Sequence, residues 1–178
     1  MINLAREIDA PHLLPSAFYD LSRSSPSDCT AGYVDNDGLV HQLSREDLLE
    51  LFKGREVASH FLLRFIFDEL EGRGPSASCL LKDTTRWRTC EVAFQAIAFE
   101  LLCDANGLSR QRHFDPLYAI LDADLMDIRD NESEVDSRIE YRACEECRSE
   151  FGTVVTAARE QFWQRLPLWF GIELLNWG

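Results

Sequence analysis

Six cysteines, Cys29, Cys79, Cys90, Cys103, Cys144 and Cys147, offer the chain its clearest route to chemistry. Cys144 and Cys147 form a CxxC pair, and Cys79 and Cys90 are set apart as C-x10-C. Four thiolates taken from a loop, a helix start and a second helix can close a tetrahedral zinc site. The C-x10-C spacing is not that of a standard zinc knuckle. Against the metal stands plain packing, because Cys147 falls in the apolar stripe of its helix, Cys144 borders that stripe, and free cysteine is among the most buried residue types. Buried thiols that need no cofactor are therefore the first reading, and zinc on Cys79, Cys90, Cys144 and Cys147 is the alternative. Cys29 falls in a loop and Cys103 ends an apolar helix, which leaves both outside any shared site. A redox role for CEEC is not expected, since such motifs act in the first turn of a helix, whereas this one reads as mid-helix with Glu145 and Glu146 raising the thiol pKa values.

No other constellation assembles an active site. The four histidines, His12, His41, His60 and His113, show neither HxxxH nor HxxE spacing, and no serine lies in a nucleophile elbow or phosphate loop. The acidic runs DADLMD and DNESEVD lack the alternating oxygen ligands and the glycine of a calcium loop, so they read as solvated surface. Trp163, Trp169, Phe170 and Trp177 are read as packing of a terminal turn before they are read as a docking face. The chain is expected not to be an enzyme.

Length and charge narrow the partners. A chain of 178 residues with 46% hydrophobic and 11% aromatic content can bury a core without staples. Its 31 acidic residues against 18 basic ones give a net charge of -13, which disfavours nucleic acid and anionic membrane surfaces. Charges at Arg6, Glu7 and Asp9 interrupt any signal-peptide core, and no apolar run approaches a membrane span. Reduced thiols and a cytoplasmic or nuclear location are expected.

The elements that must position the cysteines read as helices throughout. Residues 2–23 predict two short helices broken at Ala10-Pro11, one with Ile2, Leu4, Ala5 and Ile8 as its apolar face, the other with Leu13, Leu14, Ala17, Phe18 and Leu21. Residues 24–38 are rich in turn formers and read as a loop. Ser44, with Asp47 three residues on, is a good N-cap for a long helix through Phe65 and Ile66, in which Gly54 is either an end or an internal residue. Thr84 or Thr85 can cap a helix over residues 87–103 that is apolar all round and so expected at the centre of a bundle. Asp115-Pro116 starts a further helix with Leu117, Ile120, Leu121, Leu125 and Ile128 inward. The last helix is predicted over residues 135–164, with a stripe at Ile139, Ala143, Cys147, Phe151, Val154, Ala158 and Phe162. Pro167 is expected to end it, residues 166–178 folding back as a turn. No strand alternation is evident. The fold class that follows is all-α, an irregular bundle of about five to seven helices.

Leu4, Ala5, Asp9, Pro11, Leu14 and Ala17 match the closing segment of a BTB/POZ domain. The rest of the chain resembles the helical C-terminal region of BTB-domain proteins of mushroom-forming fungi, on residues 43–49, residues 54–56, Cys79, Cys90, residues 115–117, Cys144, Cys147 and residues 163–177. That resemblance implies a BTB remnant at residues 1–23 and a helical domain at residues 39–178. It implies a non-catalytic protein-protein interaction module, the substrate-facing part of a BTB-type ubiquitin-ligase adaptor, whose BTB core would precede residue 1. Residues 2–23 would then lack their cover and support self-association. The alternative function is a small zinc-stabilised structural domain.

Overall fold

The computed structural model describes residues 1–105, 115–124 and 143–177. Asn106, Gly107, His113, Leu125, Ile128, the DNESEVD run and Ile139 lie outside them. The described chain is mostly helical, as expected, with seven α-helices among the described residues: α1 Ile2–Glu7, α2 Leu14–Ser22, α3 Pro26–Ala31, α4 Arg45–Phe65, α5 Thr89–Ala105, α6 Pro116–Asp124 and α7 Glu145–Trp169. A 3-10 turn, Pro11–Leu13, separates α1 from α2, and a π-helical turn, Ile66–Leu70, extends α4. No helix among the described residues is long and apolar enough to cross a membrane.

Two compact units divide the chain: residues Met1–His60 with Gln161–Gly178, and Phe61–Glu160. In the first, residues 1–23 are integral to the core. Phe18 stacks on Phe170 with centroids 5.5 Å apart, and Tyr19 meets Phe162 edge-on at 5.3 Å. Ile2, Ala5, Leu14, Ala17 and Phe18 are buried, whereas Leu4, Ile8 and Leu13 stand exposed. Arg6 pairs with the buried carboxylate of Asp47. The Ser44 hydroxyl accepts the Asp47 amide at 3.0 Å, so the predicted N-cap of α4 is in place.

The stretch read as a loop, residues 24–38, holds more order than its composition suggested. Ser25 caps α3, Pro26 opens it, and Cys29 is buried on it rather than lying in a loop. A hairpin follows, β1 Tyr33–Val34 pairing antiparallel with β2 Val40–His41. Two residues per strand are too few to show alternation, and the turn is set by the Asp35 carboxylate, which accepts the Asp37 and Leu39 amides.

Gly54 is carried inside α4, and it is buried because Phe170 lies against it. A Cβ there would sit 2.2 Å from two ring carbons of Phe170. The expected end of the last helix at Pro167 is corrected: α7 runs on to Trp169. Proline removes the amide that would bond the Trp163 carbonyl, and the Trp177 indole N–H donates to that carbonyl instead, at 2.7 Å. The two indole rings also stack at 5.1 Å. Gly171 at φ 64 then closes α7, with Ile172 N donating to Pro167 O and Gly171 N to Leu168 O, the paired bonds of a Schellman cap. Trp169 and Phe170 are buried as expected.

In the second unit the core is Phe65, Ile66, Leu70, Phe94, Ile97, Leu101, Ile120, Phe151 and Val155. The Arg73 guanidinium lies over the Phe94 and Phe151 rings at 5.4 and 5.0 Å. Two sequence expectations are revised. Val155, not Val154, continues the α7 stripe from Cys147 and Phe151, because four-residue steps follow the helical period there. α5 is not buried all round, since Phe99 is 68% exposed.

Candidate metal centre

The second unit brings together the four cysteines that residue type and spacing had singled out. Cys79 closes a turn whose amide bonds back to the Ser76 carbonyl at 3.1 Å. Cys90 is the second residue of α5, Cys144 immediately precedes α7, and Cys147 lies in its first turn. The CxxC pair is thus at a helix start and not mid-helix as its apolar neighbours suggested. Cys79, Cys90 and Cys147 are buried and Cys144 is half-buried.

Their sulfurs all lie within 4.8 Å of one another. Cys79 Sγ is 3.7 Å from Cys90 Sγ and 3.8 Å from Cys144 Sγ. A regular tetrahedron with metal–sulfur bonds of about 2.3 Å has sulfur–sulfur edges of about 3.8 Å. Two of the six sulfur–sulfur separations therefore match that edge, and all six lie within 4.8 Å. Cys29, in the first unit, and Cys103, late in α5, are not members.

Backbone amides surround the sulfurs. Ser76 N donates to Cys147 Sγ and Cys144 N to Cys90 Sγ, each at 3.3 Å. The Cys147 and Leu80 amides donate to the Cys144 sulfur. Two helix N-termini, those of α5 and α7, also meet at the cluster, and their partial positive charge favours anionic ligands. Ser76 and Leu80 were not legible as site residues in the sequence, because each contributes a main-chain N–H that any residue type could supply.

The thiols respond to these surroundings unequally. Burial pushes the Cys90 thiol far above its ordinary 9.0 and pushes Cys147 up as well. Burial acts in the same direction on Cys144, but the Cys147 and Leu80 amides and the Cys147 and Cys79 side chains outweigh it and bring that thiol down to about 7. Glu145 and Glu146 are exposed and do not reverse this. Four thiolates packed this closely would repel one another, and a divalent cation at their centre would remove that repulsion.

No family model, no curated protein and no solved structure matches the chain.

Proposed function

We propose that residues 61–160 form a zinc-stabilised structural domain in which the thiolates of Cys79, Cys90, Cys144 and Cys147 hold one Zn2+. The observation that carries this reading is the mutual approach of four sulfurs to within 4.8 Å, from three separate stretches of chain. A set of four protein ligands leaves no open position, which is the pattern of a structural site and not of a catalytic one. Soft thiolate donors in tetrahedral array select zinc or iron–sulfur chemistry over the hard cations. The metal's role is to tie the turn that carries Cys79 to the starts of α5 and α7. Because the ligands come together only in the folded chain, metal binding stabilises the fold directly. A membrane-permeant zinc chelator added to the intact chain should lower the thermal midpoint of the second unit, and re-addition of Zn2+ should restore it. Co2+ in place of zinc should show thiolate-to-metal charge transfer. A midpoint indifferent to chelator would defeat the reading.

The domain is proposed to belong to a non-catalytic protein-protein interaction module, of the kind represented by the substrate-facing part of a BTB-type ubiquitin-ligase adaptor. The sequence motifs support this, and so do Leu4, Ile8 and Leu13, which are 55%, 58% and 44% exposed near the start of the chain. Concentration-dependent self-association that is lost on replacing these three by serine would bear on it, and a monomer at all concentrations would count against it.

A further inference from the structure

We propose that this site is a hydroperoxide-sensitive one, in which Cys79 and Cys144 are oxidised to a disulfide and the metal is discharged. The inference rests on the tetrathiolate reading above and adds to it a pair of residues and a reaction. Cys144 is the member of the cluster that reaches solvent, the other three being buried. It is therefore the thiolate a small oxidant meets first. The Cys79 sulfur lies 3.8 Å from it. The two remaining thiols are each held by an amide, Cys90 by that of Cys144 and Cys147 by that of Ser76. Cys79 sits instead on a turn between the π-helical turn and α5, where a small backbone movement can carry its sulfur to bonding distance.

The steps balance with one hydroperoxide as oxidant. The Cys144 thiolate attacks the O–O bond, which breaks, giving the sulfenic acid and one hydroxide or alkoxide. The Cys79 thiolate attacks the sulfenic sulfur, forming the S–S bond and expelling a second hydroxide. Two thiolates have lost two electrons in all, and the peroxide has gained them. Zn2+ is left with only Cys90 and Cys147, half its ligand set, and passes to solvent while those thiolates take up protons.

The test uses the intact zinc-loaded chain and hydrogen peroxide. Metal release is followed with a chromogenic chelator while free thiols are alkylated and the peptides mapped by mass spectrometry. The expected result is release of about one zinc per chain in step with a Cys79–Cys144 linked peptide, Cys29 and Cys103 remaining alkylated. A different pairing, over-oxidised Cys144 with no linked peptide, or four thiols still reduced would each overturn the proposal. Cys79→His keeps a zinc-competent donor but removes the partner thiol, so a dimedone adduct should then accumulate on Cys144. Absence of that adduct would show that Cys144 is not the thiol attacked. Metal content measured before peroxide is a separate result: a metal-free starting chain defeats the tetrathiolate reading, while the linked-peptide map still decides the oxidation.

Discussion

Gly54→Ala should destabilise the first unit although alanine is the better helix former. In the middle of α4 the change gains about 1 kcal/mol of helix propensity. The new Cβ, however, would lie 2.2 Å from two Phe170 ring carbons, against a practical minimum of 3.0 Å, so the ring must retreat by about 0.8 Å. It has little room to do so, being 1% exposed and stacked on Phe18. Overpacking of this kind costs about 1–3 kcal/mol, and a rigid buried ring places it near the upper end, for a net loss of about 1–2 kcal/mol. In a chain of this size that lowers the thermal midpoint by about 2–8 °C. Denaturation followed by tryptophan fluorescence reads it directly, since Trp163, Trp169 and Trp177 all belong to the first unit. Phe170→Ala supplies the decisive control: in that background Gly54→Ala should become neutral or stabilising by up to about 1 kcal/mol, a reversal of sign that measures the coupling. A Gly54→Ala chain as stable as the parent, or a penalty unchanged by Phe170→Ala, would refute the packing argument.

Three further outcomes follow from particular contacts. Ser44→Ala removes the acceptor for the Asp47 amide and should cost about 1 kcal/mol in denaturant unfolding, with Ser44→Thr largely preserving stability. Trp177→Phe keeps a ring to stack on Trp163 but leaves the Trp163 carbonyl without its indole donor, for a loss of about 1 kcal/mol; with Pro167→Ala restoring a main-chain donor, the same substitution should cost measurably less. Zinc affinity should rise with pH up to and beyond 9.0, because burial raises the Cys90 and Cys147 thiols above that value and zinc must displace their protons; calorimetry in buffers of different ionisation heat counts the protons released, and a pH-independent affinity would contradict the assignment.

Much of the architecture was readable wherever the deciding interaction is local. The cap at Ser44 depends on a residue three positions away, and the helical period placed Phe94, Cys147, Phe151 and Phe162 in cores, whereas Phe18, expected to lack cover, is buried. The four-cysteine set was nameable because thiols are few and their chemistry is distinctive. What sequence could not show was anything decided by a distant partner. The start of α7 at Glu145 was hidden because no Ser, Thr, Asp or Asn precedes it and Cys144 occupies the cap position. That error of position also produced the expectation of unreactive, mid-helix thiols, whereas amides at the helix start lower the Cys144 thiol. Likewise Pro167 reads as a stop until the indole of Trp177, ten residues on, meets the carbonyl that proline leaves unbonded. Gly54 was ambiguous for the same reason: only the position of Phe170 says why a glycine is needed.

The most direct test of the metal centre is the metal content and coordination of chain purified without chelator. Elemental analysis should find zinc at about one per chain, and X-ray absorption at the zinc edge should give four sulfur neighbours at about 2.3 Å, with the signal unchanged by Cys29→Ser and Cys103→Ser and lost or altered by Cys147→Ser. A chain that carries no metal, or zinc bound through oxygen or nitrogen neighbours, would contradict the account and leave Cys79, Cys90, Cys144 and Cys147 as packed thiols.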